Sequence, residues 1–363
     1  MKKKYLILFM PSMEGGGVEK NLILIANYLV KKKINLSLIT YENKFKEKLS
    51  RKIHIVSPKN IKKNKSKYYK YLICLLLMVK ILFKKDCLVF AFQANIYAII
   101  ICKLLNKKII VRSNSSPTGW NKNYFKNLIF KFFLKKSDEI IVNSKHFKTE
   151  LDKKFQTSSK LILNPLNKIE ILKMSKEKIN FKFFDKKHLN IINIGRFTDQ
   201  KDHITLLKAF KIVSKKMKVK LTLIGYGPNK IKIIKFINEN KLNNITRVIN
   251  FKINPYPYLN KADIFILSSK YEGLPNVLLE AQVLKKYVIS TDCPTGPKEI
   301  LNNGNYGSLY KISNHNELSI KIFDYYKNQI KYKKKTIQAF KNLDNYNFEK
   351  NCNKYFLTVS KHL

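Results

Sequence analysis

Short runs of consecutive apolar residues alternate along the chain with longer segments in which apolar residues return every three or four positions. Y-L-I-L-F-M (5–10) is followed by a glycine turn and then by Val18, Leu22, Ile25, Ala26 and Leu29, at i, i+4, i+7, i+8 and i+11. The first pattern predicts a buried strand, the second an amphipathic helix. I-N-L-S-L-I-T (34–40), C-L-V-F-A-F (87–92), K-I-I-V-R-S (108–113) and E-I-I-V-N-S (139–144) read as further strands. The alternation restarts with a strand at 189–195 and a helix over 204–216, then strands at 219–225, 245–251, 263–269 and 287–291. Near-continuous apolar strands separated by helices imply parallel sheets covered on both faces. A polar, lysine-rich stretch over 168–188 reads as a linker between the two runs. The expected fold is therefore α/β, with two doubly wound Rossmann-like domains over 1–170 and 171–344. A last helix within 345–363 is too short to be a third domain and is expected to pack back on the first.

Composition supports this and adds a charge. The 363 residues are 45% hydrophobic, enough for real cores in two domains. Five scattered cysteines without C-x-x-C spacing read as reduced thiols of a cytoplasmic protein. M-K-K-K-Y-L-I-L-F-M superficially resembles a leader, but Pro11 and a glycine-rich loop follow the apolar run, so it reads as the first strand. Lys and Arg number 72 against 24 Asp and Glu, a net charge of +48; residues 51–136 hold 20 of the bases and one acid, Asp86. Such a surface favours a polyanion or an anionic membrane. No helix-turn-helix, zinc-finger, RRM or KH signature accompanies it, which disfavours nucleic acid. The apolar segment 71–83 contains Lys80 and falls short of the ~20 residues of a spanning helix, and 87–105 is interrupted by Gln93 and Asn95. N-Y-F-K-N-L-I-F-K-F-F-L-K-K (123–136) fits an interfacial helix and equally a core-facing helix with a solvated lysine face.

The chemistry should lie in loops at the carboxyl ends of the strands. After the first strand, Gly15, Gly16 and Gly17 open a helix whose amino end could meet an anion. After the strand at 189–195, Arg196 offers a bidentate fork and Lys201 a point charge, a pair suited to two linked phosphates. In G-Y-G-P (225–228), Lys230 stands where a dinucleotide fingerprint has its third glycine, which argues against a Rossmann dehydrogenase. Glu272 and Glu280 lie eight positions apart around a Gly-Leu-Pro turn between a strand and a helix. Backbone N–H groups around Gly273, Leu274 and Asn276 would face a phosphate, and the two carboxylates could accept from sugar and ribose hydroxyls. The same spacing suits a capping glutamate followed by a solvated helix glutamate, and pattern alone does not choose.

E-G-L-P-N-V-L-L-E-A resembles the E-x7-E motif of the retaining, GT-B-fold glycosyltransferases of family 4 (group 1). G-G-G-V-E-K (15–20), V-R-S-N-S-S-P (111–117), V-N-S (142–144), L-N-P (163–165), G-R-F-T-D-Q-K-D, G-Y-G-P and S-T-D-C-P-T-G-P-K-E-I-L (290–301) match that family's landmarks in order. The resemblance implies two domains facing across a crevice and a nucleotide-sugar donor. Catalytic roles fall to Glu272, Arg196 and Lys201: the cations neutralise the donor diphosphate and Glu272 meets the transferred sugar. Glu280 would hold the ribose, with Gly273, Leu274 and Asn276 also in the donor site, and Gly16 and Gly17 would let the first domain's backbone close on the diphosphate or sugar. Many relatives place a histidine in the first domain; here the region reads F-Q-A-N-I-Y-A, leaving Gln93, Asn95, Arg112 and Asn114 as candidates for acceptor or sugar contact. No metal or other cofactor is expected, since no D-x-D, H-E-x-x-H or clustered His/Cys ligands occur. The S-T-D-C-P-T-G-P-K-E-I-L run resembles that of bacterial surface-polysaccharide and lipid-linked-oligosaccharide members. It implies a UDP-sugar and a glycan or polyprenyl-linked acceptor at the inner face of the cytoplasmic membrane. A GDP-mannose-dependent mannosyltransferase, a sugar-nucleotide epimerase of the same architecture and, from a different class, a basic nucleic-acid-binding protein are the alternatives.

Overall fold

The computed structural model describes residues 5–42, 45–61, 66–114 and 124–363. Ser115–Pro117 of the V-R-S-N-S-S-P landmark, and Lys122 and Asn123 beside the aromatic-lysine segment, lie outside them. The chain divides into two compact units, Met1–Pro165 with Phe348–Leu363, and Leu166–Asn347.

The first unit begins β1 (Tyr5–Phe9), α1 (Gly17–Lys31), β2 (Asn35–Ile39), β3 (His54–Val56), α2 (Lys67–Leu82), β4 (Leu88–Ala91) and α3 (Asn95–Leu104). It continues β5 (Ile109–Arg112), α4 (Tyr124–Lys135), β6 (Glu139–Val142), α5 (Lys145–Phe155) and β7 (Lys160–Leu161). All seven strands are parallel, in the order β3-β2-β1-β4-β5-β6-β7. Leu6–Phe9 and Val89–Ala91 are completely buried because both sheet faces are covered. In α1 the predicted stripe of Leu22, Ile25, Ala26 and Leu29 is buried, while Val18 stays half-exposed at the helix start.

The second unit comprises α6 (Lys168–Met174), β8 (Leu189–Ile194), α7 (His203–Ser214), β9 (Val219–Gly225), α8 (Lys230–Glu239), β10 (Thr246–Asn250) and α9 (Tyr256–Lys261). It continues β11 (Ile264–Leu267), α10 (Asn276–Val283), β12 (Tyr287–Thr291), α11 (Gly296–Ile300), β13 (Ser308–Tyr310), α12 (His315–Lys327) and α13 (Gln329–Asn342). Its parallel sheet runs β10-β9-β8-β11-β12-β13, with β8 and β9 in register from Leu189↔Val219 to Ile194↔Ile224. The final helix, α14 (Phe348–His362), belongs to the first unit and packs on α1.

The stretch expected to be a linker departs from that reading over its first seven residues. Asn167 accepts from the Glu170 N–H at 3.2 Å, and its own amide donates to the Glu170 carboxylate at 3.0 Å. This reciprocal cap starts α6, which buries Ile171 and packs against α9 and α10.

In each sheet the connection reverses direction beside the first strand, between β1 and β4 and between β8 and β11. Ligands of doubly wound sheets bind at the carboxyl ends of the strands flanking such a reversal. In the second unit those ends carry Arg196 and Lys201 on one side and Glu272 on the other.

Candidate functional site

The β8 loop turns sharply through a short 3-10 segment, Asp199–Lys201, into α7. Asp202 adopts φ 44° and caps α7: its carboxylate accepts from the Thr205 N–H at 3.4 Å and the Thr205 hydroxyl at 2.8 Å. This turn sends Lys201 back across the sheet, its stem alongside Gly195. The Lys201 ammonium donates to Glu272 Oε1 at 2.5 Å. The Ser269 hydroxyl donates to the same oxygen at 2.6 Å. Lys201 and Glu272 keep only 17% and 8% of their side-chain surface, so the pair is largely withdrawn from water. An ammonium has three N–H groups. Glu272 takes one, and two remain to face an anion. Arg196 sits exposed at the end of β8.

Two glycines let neighbouring loops close on this one. A Cβ on Gly225 would stand 1.9 Å from the Gly195 carbonyl oxygen, and one on Gly227 (φ 146°) 2.4 Å from the Phe197 carbonyl oxygen. The β11 loop is gripped from β12 in the same way. Thr295 donates to the Glu272 carbonyl at 2.7 Å and the Gly273 carbonyl at 3.0 Å, and the Gly296 N–H donates to the Gly273 oxygen at 2.7 Å. Thr295 has φ 77°, a left-handed conformation a β-branched residue rarely adopts, held here by those bonds. Pro275 forms the N-cap of α10, one position before the helix, and no side chain caps that helix end.

Glu280 lies just over one turn into α10 and is only 4% exposed. The reading of a capping and a solvated glutamate therefore does not describe this pair: no side chain caps the start of α10, and both glutamates are buried. Leu274 is buried beside them and Asn276 opens the helix.

Behind the loop, His203 is buried and edge-on to Phe197. The Asn193 amide donates to the Ile266 carbonyl at 2.8 Å, so its oxygen accepts from His203 Nε2 at 3.0 Å. Burial first, then the nearby Lys201 charge, hold the His203 pKa down to about 3, and the ring is neutral. Burial, reinforced by the Glu272 charge, pushes the Cys293 thiol up to about 12. All five cysteines are buried free thiols.

In the first unit the structure brings Gly16, Gly17 and Gln93 to one end of the sheet. Gly16 is the N-cap of α1 and Gly17 its first residue. A Cβ on Gly16 would lie 2.9 Å from the carboxylate of buried Glu19, which accepts from the Glu14 N–H at 3.1 Å. Gln93 accepts from the Ser12 N–H at 3.1 Å, tying the loops after β1 and β4 together. Asn95 donates to the Arg112 carbonyl at 3.0 Å, while its side-chain oxygen is buried without a partner. Arg112 itself is 0% exposed. Its guanidinium donates to Tyr355 on α14 at 2.9 Å, to Asn164 at 2.6 Å and to Asn114, and lies over the Phe92 ring. Asn114 in turn donates to the Phe92 carbonyl at 2.7 Å. Arg112 therefore positions loops; its donors point into the protein.

Nothing in the sequence pattern marks Ser269, Thr295, His203 or Tyr355. Thr295 lies in the quoted S-T-D-C-P-T-G-P-K-E-I-L run, but its positive φ and backbone contacts appear only once β12 is set beside β11. Among the described residues, no three His, Cys, Asp or Glu come together as metal ligands, and no helix is long and apolar enough to cross a membrane.

Comparison with known proteins places this geometry. Residues 15–167 match the family model "Glycosyltransferase Family 4" and residues 174–342 the model "Glycosyl transferases group 1". An uncharacterized glycosyltransferase of Methanocaldococcus jannaschii is 36% identical over 180 residues, 48% of this chain and 44% of the relative. A Campylobacter jejuni protein, named as an N-acetylgalactosamine-N,N'-diacetylbacillosaminyl-diphospho-undecaprenol 4-alpha-N-acetylgalactosaminyltransferase, is 30% identical over 204 residues, 54% of each chain. The chain thus spans about half the length of the curated relatives it matches. The crystal structure of Anabaena HepE in complex with UDP and glucose superposes with a TM-score of 0.81 at 17% identity, over 98% of this chain and 99% of that one. The chain belongs to the family 4, group 1 glycosyltransferases and has their GT-B fold of two Rossmann-like domains.

Proposed function

We propose that the protein transfers a hexose or N-acetylhexosamine from a nucleotide sugar, a UDP-sugar, to a glycan or polyprenyl-linked acceptor in surface glycan synthesis, with retention and without a metal. The observation that carries this reading is the buried Lys201–Glu272–Ser269 cluster at the β8/β11 reversal. The two remaining Lys201 donors and the exposed Arg196 supply the cations that a departing nucleoside diphosphate needs. Glu272, held against Lys201, meets the sugar next to that diphosphate. Glu280, a buried acceptor one turn into α10, takes the ribose. The relative whose name carries a diphospho-undecaprenol acceptor and an N-acetylhexosamine supports the choice of acceptor and sugar.

The acceptor's lipid places the enzyme at an anionic membrane, and α4 suits that surface. Tyr124, Phe125, Leu128, Ile129 and Phe132 form one exposed face of α4, and of its apolar residues only Leu134 is fully buried. Lys126, Lys131 and Lys135 interleave with that face. A helix made only to cover a core would turn these rings inward; an interfacial helix carries them outward.

Two assays test the reading. NMR of the product formed from a UDP-N-acetylhexosamine should give an anomeric configuration matching the donor, with a rate unchanged by EDTA. An inverted product, or a rate abolished by EDTA and restored by Mn²⁺, overturns it. Co-sedimentation with vesicles should rise with anionic lipid, fall with salt and weaken in Phe125→Ser/Phe132→Ser; indifference to anionic vesicles at low salt removes the membrane from the account.

A further inference from the structure

The backbone ladder between β8 and β11 is short. It pairs Ile191 with Ile264 and Ile192 with Phe265 and then stops, although β8 runs on to Ile194 and β11 to Leu267. Side chains take over beyond it. Asn193 reaches the Ile266 carbonyl, and the Ser268 hydroxyl donates to the Lys201 carbonyl at 2.8 Å. The Gln200 carbonyl accepts from the Lys270 N–H at 2.8 Å, and its amide donates to the Tyr271 carbonyl at 2.9 Å. Ser269 donates instead to Glu272 Oε1 at 2.6 Å, while its own carbonyl accepts from the Thr291 hydroxyl at 2.7 Å. Ser268 and Ser269 are both 0% exposed, so neither hydroxyl has water to turn to. Two adjacent serines thus divide the buried pair between them: Ser268 fixes the main chain of Lys201, and Ser269 fixes the side chain of Glu272.

The Ser269 bond decides which oxygen of Glu272 is left over. A carboxylate carries about four lone-pair sites, two on each oxygen. Oε1 takes both the Lys201 ammonium and the Ser269 hydroxyl, so its sites are filled. Oε2 takes no partner among the described residues, yet it is not sealed from solvent. We infer, on the donor-site reading proposed above, that Ser269 is a positioning residue. By holding the Lys201 contact at Oε1 it keeps Oε2 open for hydroxyls of the transferred sugar, and so governs how strongly the sugar, as distinct from the nucleotide, is held. Without that hydroxyl the carboxylate is free to turn about its last bond and share both oxygens with the ammonium, which has donors to spare. The diphosphate side, with Arg196 and a further Lys201 donor, stays in place.

The ratio of the dissociation constants for a UDP-sugar and for UDP isolates this effect, since UDP carries no sugar. Calorimetric titration with UDP and with UDP-N-acetylglucosamine, UDP-N-acetylgalactosamine and UDP-glucose measures it, the sugar nucleotide that wild type binds most tightly being followed in each variant. In Ser269→Ala the ratio should rise at least about fivefold, the worth of one hydrogen bond to the sugar, while UDP itself binds within about twofold of wild type. Thr291→Val loosens the same loop by removing the bond to the Ser269 carbonyl; it should move both constants together and leave the ratio unchanged. Should Ser269→Ala fail to fold, Ser269→Cys, of similar size but a weaker donor, decides, and its ratio should rise as well. An unchanged ratio in the Ser269 variant, or an equal rise in Thr291→Val, overturns the role of Ser269 and leaves the donor site standing. The same holds if wild type binds UDP but none of the three sugar nucleotides. If wild type binds neither UDP nor a UDP-sugar, the donor site falls and the role of Ser269 with it.

Discussion

Replacing Lys201 by Met keeps the stem beside Gly195 and removes the charge. Glu272, with 8% of its side-chain surface exposed, then keeps the Ser269 hydroxyl but loses its countercharge. Breaking a buried pair from one side costs about 3–5 kcal/mol, because the orphaned charge stays out of water. For a unit the size of Leu166–Asn347, each kcal/mol moves the midpoint by about 2–4 °C, so the unfolding of that unit should fall by roughly 6–20 °C. Glu272→Gln should cost less, about 1–2 kcal/mol, since the amide keeps the Ser269 bond and the long lysine can swing to water. The double variant should be more stable than the sum of the two losses predicts, with a coupling of about 2 kcal/mol. Scanning calorimetry of the four proteins measures the cycle. Losses that add to within about 0.5 kcal/mol would refute the claim that these side chains act as one buried unit.

Two further predictions concern groups the substrate does not touch. His203 titrates near 6.5 when unfolded and near 3 in the fold, so between those values the unfolded chain binds the extra proton and stability falls as pH falls. The loss should reach about 1.4 kcal/mol at about pH 5.5, and His203→Gln, which keeps the donor to Asn193, should remove that part of the slope; an unaltered slope contradicts the assignment. Tyr355→Phe removes one charged hydrogen bond from Arg112 and should destabilise the first unit by about 1.5–3 kcal/mol in urea titrations, against a change below about 0.5 kcal/mol if α14 is held by apolar contacts alone.

The alternation of apolar runs was enough to place the long strands, because Leu6–Phe9 and Ile264–Leu267 are buried on both faces and leave no room for polar residues. β3, β7 and β13 were not legible: they are two or three residues long and exist by pairing with an edge already formed. The start of the supposed linker hid α6, whose signal is a local cap and one buried residue, Ile171. Glu280 illustrates a harder limit. Every residue of α10 from Leu278 to Val283 is buried, so this helix has no polar face to give its glutamate away. Arg112 looked like an available strand-end cation, but Tyr355, 243 positions later, covers it. Lys201 and Glu272 were each legible as a charged residue in a strand-end loop, but not as partners; their direct bond depends on the turn at Asp202, which only the folded chain supplies.

The central claim is that the loops after β8 and β11 hold a nucleotide-sugar donor through Arg196 and Lys201. Thermal unfolding of wild type and Arg196→Ala in the presence of UDP, UDP-N-acetylglucosamine, UDP-N-acetylgalactosamine, UDP-glucose and GDP-mannose measures it directly. Arg196 is exposed, so its removal leaves the fold intact while deleting one charged contact worth about 1.5–3 kcal/mol, roughly 10–100-fold in donor affinity. The account predicts that a UDP-sugar raises the wild-type midpoint and that Arg196→Ala loses most of that rise. It is contradicted if no nucleotide protects the wild type, or if the variant is protected as well as wild type.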